Sequence, residues 1–320
     1  MTVHLSDLKT GEAFNIVVLI KQADVRIAKN GKRFISLTFQ DRTGDISGML
    51  WDAHDEDIAQ FSSGQIVHLT GQRDVYNGQP QVKITGVHLA KASEGFQVGQ
   101  FTTQAPLSAE QMATEINQEV FNIDNAKWNR IVRFLLQKHQ AAFYQHPAAK
   151  SNHHDFAGGL AFHTLSMMRL AKQISQQYTQ INYALLLSGV LLHDLGKTIE
   201  LSGPVGTEYT LPGNLIGHIV LIDEEIVLAC AALKIDPADE DVMLLRHVVL
   251  AHHGLLEYGS PERPKLLEAE VLHSIDEMDA SINMITKALT KTAPGEFSER
   301  IFGLDNRRFY RPKSQAEIHL

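Results

Sequence analysis

The rhythm of apolar and polar positions changes as the chain runs from end to end. Residues 14 to 90 read as strands. Phe14–Ala28 is apolar and β-branched, Asn30-Gly31 supplies a hairpin turn, and Arg33–Gln40 (RFISLTFQ) alternates as a half-buried strand does. Asp41–Gly44 is the next predicted turn and Asp45–Trp51 the third strand. A short polar helix near His54–Phe61 precedes two more strands, Gln65–Val75 and Gln81–Ala90, joined at Asn77-Gly78. Lys91–Ala105 is polar with Gly, Ser and Thr and breaks the pattern as a linker. Ser108 then opens a helical region, with Glu110 and Gln111 near its start as in a capped N-terminus, and helical periodicity continues to about residue 290. Arg300–Leu320 is irregular and locally basic, in RRFYRPK.

Five strands with a short helix between the third and fourth follow the order of an OB-fold barrel. The predicted fold class is therefore multidomain β + α, a five-stranded OB-fold barrel followed by an all-α domain. Its expected parts are the barrel over 1–90, a linker and helical connector over 91–150, the all-α domain over 151–295 and a tail over 296–320. The stretch GKRFISLTFQDRTGDISGMLWD is similar to the strand 2–3 hairpin of nucleic-acid-binding OB domains.

Composition narrows the class. At 320 residues, 44% hydrophobic and 21% charged, the chain has enough apolar residues for two cores. No apolar run reaches the roughly 18 to 20 residues of a membrane span. The start, MTVHLSDLKTGEAF, has neither the basic nor the apolar block of a signal peptide. Cys230 is the single cysteine, which excludes an internal disulfide and a thiolate zinc site. A cytoplasmic protein without a membrane partner is expected. The net charge of −8 argues against coating nucleic acid through bulk charge, yet leaves room for a local basic groove.

Histidine is the informative residue, because twelve of the 16 lie after residue 135. His163 (GGLAFHT), His193-Asp194 (LLHDLGK), His218 (LIGH), His252-His253 (LAHHG) and Asp276 (HSIDEMD) sit within or at the ends of apolar helices. Ionisable groups there are costly unless something binds them. A carboxylate beside an imidazole suits divalent ions, since the carboxylate can bridge while imidazoles fill outer positions.

An isolated His, then His-Asp, further His residues and a distant Asp resembles the pattern of HD-superfamily phosphohydrolases. The longer strings HHDFAGGLAFHTLSM, LLHDLGKTIE, LPGNLIGHIV, LAHHGLLEYGSPERP and EAEVLHSIDEMDA are similar to those of YhaM-type 3′→5′ exoribonucleases, which place an OB-fold ahead of an HD domain. The resemblance implies that His163, His193, Asp194 and Asp276 hold one metal. Asp194 would bridge to a second, held by His218, His252 and His253. Manganese is the first choice, with iron, cobalt or nickel as alternatives. A metal-activated hydroxide would attack phosphorus, Lys197 would hold a phosphate oxygen, and His153 or His154 would meet the terminal phosphate or protonate the leaving 3′-oxygen. The implied substrate is single-stranded RNA, with single-stranded DNA as an extension, released as nucleoside 5′-monophosphates. Gly254 after the His pair, and Gly159 where some cyclic-dinucleotide phosphodiesterases carry Glu, disfavour a cyclic-dinucleotide substrate.

In the barrel, Phe34, Phe39, Trp51 and Tyr76 are candidates to stack on bases, with Lys32, Arg33 and Arg73 near phosphates. Alternation places Phe39 inside with Ile35 and Leu37, leaving Phe34 and Tyr76 as the better candidates. Two other readings are an HD-type nucleotidase acting on small nucleotides and a nucleic-acid-binding regulatory protein with a structural metal. The apolar faces of residues 106–149 also leave a homo-oligomer open.

Overall fold

The structure is a computed structural model that describes residues 3–76, 79–102, 104–150, 154 and 156–314. The expected turn at Asn77-Gly78 and the candidate His153 lie outside the described residues. Two compact units divide the chain, Met1–Gln104 and Ala105–Leu320.

Strands β1 (Ala13–Ile27), β2 (Arg33–Asp41), β3 (Gly44–Leu50), β4 (Ile66–Tyr76) and β5 (Gln79–Leu89), with helix α1 (Asp55–Gln60) between β3 and β4, form the first unit. They close into a barrel in the order β1-β2-β3-β5-β4. Neighbours are antiparallel except β3 and β5, which meet in parallel at Ser47 opposite Gln81 and Gly48 opposite Val82. Alternation sets which face is inside: Ile16, Val18 and Ile20 of β1 pack with Ile35, Leu37 and Phe39 of β2 in the barrel core. A one-residue slip would turn that whole set to solvent, so the register is strongly specified. The expected linker folds with the barrel unit, through short 3-10 turns at Ala92–Glu94 and Val98–Gln100 and a 2.8 Å contact between His68 Nε2 and Glu94 Oε2.

In the second unit α2 (Ala109–Val120) begins with the predicted capping box. Ser108 Oγ accepts from the Gln111 amide at 3.2 Å, and the Gln111 side chain accepts from the Ser108 amide at 2.9 Å. Then follow α3 (Ala126–Lys138), α4 (Gln140–Phe143), α5 (Gly159–Gln177), α6 (Tyr183–Leu192) and α7 (Lys197–Glu200). The last four are α8 (Leu211–Leu215), α9 (His218–Leu233), α10 (Glu240–Leu250) and α11 (Leu267–Thr290). Every residue of α6 from Ala184 to Leu192 is buried. A helix apolar on all sides must sit at the centre of its domain, and α3, α5, α10 and α11 surround it.

Two expectations change. Residues 105–150 are not a connector: Met112 and Ile116 of α2 and Trp128, Ile131 and Leu135 of α3 belong to the same buried cluster as α6. The domain boundary therefore falls after Gln104, and the apolar faces that left room for a partner chain are covered by α5, α6 and α9 of the same chain. Nor do residues 296–314 trail as a tail. Bridges Phe297–Tyr310 and Ile301–Arg307 fold them into a hairpin, which Arg311 ties to the end of α11 and the turn after it by donating to the Leu289 and Thr292 carbonyls. Among the described residues no helix is long and apolar enough to cross a membrane.

Leu135 is fully buried, so Leu135→Ala should cost the helical unit about 2–5 kcal/mol in chemical denaturation. Unchanged stability with an altered oligomeric state would instead place α3 at a subunit interface.

Candidate metal centre

The apolar run of α6 ends at Leu192 and carries His193 and Asp194 into the interior, where they are 0% and 2% exposed. Four further elements bring the remaining candidates to the same place. His163 lies on α5, His218 opens α9, His252 and His253 follow α10, and Asp276 lies on α11. All seven predicted metal ligands are thus brought together, in groups whose ligand atoms lie within 4.8 Å of one another.

Each imidazole is oriented from behind. The Nδ1 atoms of His193, His252 and His253 stand 2.9, 2.6 and 2.7 Å from the carbonyls of Val190, Val249 and Tyr258. That of His218 lies 3.1 Å from Glu200 Oε1, and that of His163 lies 2.7 Å from Asp279 Oδ2. An acceptor at Nδ1 holds the proton there and turns Nε2 inward, as metal-binding histidines require. Asp194 lies at the meeting point. Its Oδ2 is 3.5 Å from His193 Nε2 and 3.7 Å from His163 Nε2, whereas its Oδ1 is 3.3 Å from His218 Nε2 and 3.8 Å from His252 Nε2. Asp276 Oδ1 completes the first group at 3.2 Å from His163 Nε2.

The separations of 3.2, 3.3 and 3.5 Å fit a metal directly, and those of 3.7 and 3.8 Å lie a few tenths of an ångström beyond. Nitrogen and oxygen ligands about 2.1 Å from one ion stand roughly 3 to 3.5 Å apart. The chemistry of the donor atoms agrees: Asp194 Oδ1, His218 Nε2 and His252 Nε2 are buried without a hydrogen bond among the described residues. Three orphaned polar atoms aimed at one point would be costly unless a cation satisfied them. Burial alone would raise the Asp194 carboxyl, but the charges of Lys197 and His193 outweigh it and hold the group well below the usual range. Burial also drives His252 far below an ordinary imidazole, helped by the neighbouring His253, and lowers His253 itself. A carboxylate and neutral imidazoles are the protonation states that metal binding needs.

Gly196 explains part of the motif LLHDLGK. A β-carbon there would stand 2.2 Å from the His218 carbonyl oxygen. Only glycine lets the start of α9 approach Asp194 this closely. Gly159 is equally constrained, since its β-carbon would meet the His154 carbonyl oxygen at 2.0 Å, so no glutamate fits at that position without moving the backbone.

The catalytic candidates separate. Lys197 is buried with Nζ 2.7 Å from Asp194 Oδ2, and it also lines a cleft of about 470 Å³ beside His253 and Asp276. His154 does not face this centre. It is 3% exposed and stands behind His163, with Nε2 2.8 Å from Asp279 Oδ2. A role at the terminal phosphate or leaving oxygen gives way to one in supporting His163. Sequence reasoning missed that support. Asp279 takes contacts from His154, His163 and Ser166, and Glu200 holds His218. The available signal was helical spacing: Asp279 lies one turn beyond Asp276, and Glu200 three residues beyond Lys197.

In the barrel the candidates also divide. Phe34 packs its ring against Trp51 at 4.8 Å, and Trp51 and Tyr76 are 62% and 65% exposed. Lys32 and Arg33 are exposed but paired with Asp52 and Asp55, at 2.9 and 2.7 Å. Arg73 is engaged within the barrel unit, where its guanidinium donates to the Leu5 and Leu8 carbonyls of the N-terminal turn. Phe39 is in the core, as alternation required.

A small closed barrel followed in the chain by a helical domain with a cluster of buried His and Asp side chains defines an OB-fold protein carrying an HD domain. Family models match accordingly, an OB-fold nucleic acid binding domain over residues 15–90 and an HD domain over 160–281. HD domains are metal-dependent, which agrees with the clustered ligands. The 3′-5′ exoribonuclease YhaM of Listeria welshimeri is 50% identical over 312 residues, 98% of this chain and 99% of that protein. Its namesakes are 49% identical in Listeria innocua, over the same shares, and 47% in Shouchella clausii, over 95% of each chain. The chain belongs to the YhaM family.

Metal binding should release a proton. Burial works against a charged His163, but the flanking carboxylates of Asp276 and Asp279 outweigh it and raise the group to about 10. Below that pH a metal must displace a proton from Nε2, so affinity should rise with pH, by roughly tenfold per unit between 7 and 9 for one displaced proton. Calorimetric Mn²⁺ titration in buffers of different ionisation heat measures the release. Affinity independent of pH over that interval would contradict the raised titration of His163, and Mn²⁺ binding undiminished in His163→Ala would refute its assignment as a ligand.

Proposed function

We propose that this chain is a metal-dependent 3′→5′ exoribonuclease, which removes nucleoside 5′-monophosphates from the 3′ end of single-stranded RNA and, by the same chemistry, of single-stranded DNA. The observation that carries the reading is Asp194, whose two oxygens face separate groups of imidazoles. This suits two ions, the first held with His163, His193 and Asp276 and the second with His218, His252 and His253. Manganese suits mixed imidazole and carboxylate ligands, though iron, cobalt and nickel share that preference. Divalent ions in such a site supply Lewis-acid charge to a phosphodiester and acidify water.

The chain's own groups do the rest. Lys197 keeps its charge because Asp194 outweighs the burial that would remove it, and it presents that charge to a phosphate oxygen at the cleft. Tyr258 lines the same cleft with its ring exposed, beside Leu255 and the hairpin residue Leu304. A volume near 470 Å³ suits one terminal nucleotide. In the barrel, Trp51 and Phe34 offer a stacking surface with Lys32 and Arg33 adjoining for phosphates, and Tyr76 offers a further exposed ring. Acting on single nucleotides would leave this barrel surface without a use. A cytoplasmic setting belongs to the same proposal, since the single cysteine, Cys230, is buried and unbridged.

Manganese-supplemented protein incubated with 5′-labelled single-stranded RNA should give a ladder shortening from the 3′ end, with 5′-monophosphates released. Asp194→Ala should lower the rate on the order of 10³-fold or more. Intact RNA alongside rapid hydrolysis of mononucleotides would replace this reading with a nucleotidase.

A further inference from the structure

The folded hairpin beyond α11 creates a second hollow next to the catalytic cleft. This hollow, of about 550 Å³, lies between the last turns of α11 and residues 299–303. It shares Met284 and Gly303 with the cleft, so the two are contiguous across a narrow ridge. The ridge is a 3-10 turn, Phe302–Leu304, held by hydrogen bonds that the Leu304 and Asn306 backbone N–H groups donate to the Ile301 carbonyl at 3.1 and 3.0 Å. Leu304 is turned in toward the cleft and is 6% exposed, whereas Phe302 stands out on the hollow's side at 87%. Among the described residues the hollow is lined by Lys287, Lys291 and Arg300, together with Glu299.

A row of cations with one projecting aromatic ring is the combination that grips single-stranded nucleic acid, through phosphates and base stacking together. Lys287 and Lys291 are one helical turn apart, about 5–6 Å between β-carbons, so they can meet different phosphates of one strand. We propose that this hollow binds the sugar–phosphate backbone of the nucleotides immediately upstream of the one in the catalytic cleft, with Phe302 stacked on a base. The ridge would then separate the terminal nucleotide from those behind it. This rests on the reading of the chain as a nuclease, and it adds a binding track in the helical unit itself.

Two measurements on the full chain test it. In the first, a single-stranded RNA with 4-thiouridine two or three nucleotides from its 3′ end is photocrosslinked to protein in EDTA, so that no cleavage is needed. Crosslinks should fall on residues 284–303. In the second, kcat/KM is compared on a dinucleotide, too short to fill the hollow, and on an oligonucleotide of about fifteen nucleotides. Lys287→Ala/Lys291→Ala/Arg300→Ala should lower the value for the longer substrate by ~10- to 100-fold and shrink its salt dependence by up to roughly 2 in log–log slope, about 0.7 per lost phosphate contact. Phe302→Ala should cost the longer substrate ~10-fold. Both variants should stay within about twofold of wild type on the dinucleotide, which also reports that they fold. Crosslinks confined to the barrel, or equal losses on both substrates, or no loss on the longer one, would overturn the proposal. Crosslinks at the hollow from a protein that cleaves neither substrate would leave the track standing and remove the nuclease reading instead.

Discussion

An ionised carboxylate buried at the centre of an apolar domain is the constraint on which this structure turns. Asp194 is almost wholly removed from water. Leaving such a charge unpaired would cost several kcal/mol even after relaxation. Lys197 offsets part of that cost through a 2.7 Å contact on Oδ2, but Oδ1 receives no hydrogen bond among the described residues. The surrounding imidazoles deepen the demand, because burial keeps His252 and His253 neutral and so deprives Asp194 of their positive charge. A divalent cation resolves all of these shortfalls together, since it satisfies the carboxylate and the orphaned Nε2 atoms at once.

The scaffold follows from the need to hold that group in place. Because α6 is apolar on every side it can lie only at the core of its unit, and its C-terminal end delivers His193 and Asp194 there. Gly196 then permits the main chain of α9 to pass close by, which brings His218 within 3.3 Å of the carboxylate. Behind the candidate ligands a second layer of acceptors orients each ring: backbone carbonyls in the last turns of α6 and α10, that of Tyr258, and the carboxylates of Glu200 and Asp279. Asp279 has the most partners in that layer, joining His163 to His154 and Ser166. Rings fixed in this way need little rearrangement when a cation binds, so the site is preorganised for it.

Much of this was legible in the sequence because the signals were local. Alternation along RFISLTFQ and the turn residues around it marked the strands and the inward face of β2, and the Ser108 cap marked the start of α2 to the residue. The candidate metal ligands stood out because ionisable groups interrupted apolar helices, and the structure brings them together. What the sequence concealed depended on long-range packing. Whether α2 and α3 covered a partner or their own core could not be read from amphipathic periodicity, which shows that a face is apolar and not what lies against it. The same holds for His154, whose place beside a Gly-Gly turn is local but whose partner Asp279 is 125 residues away. Arg73, read as a phosphate contact, instead ties down carbonyls some 65 residues distant. The hairpin of residues 297–310 was hidden because its few bridges carry no periodic pattern at all.

The most direct test of the account is a count of the ions on the protein and on variants that dismantle one side of Asp194 at a time. Elemental analysis of protein equilibrated with manganese should find two ions per chain. His218→Ala should retain one, and Asp194→Asn should bind both so weakly that dialysis removes them. A wild-type protein that binds a single ion, or an Asp194→Asn variant that keeps its full complement, would contradict the claim that this buried carboxylate organises the site.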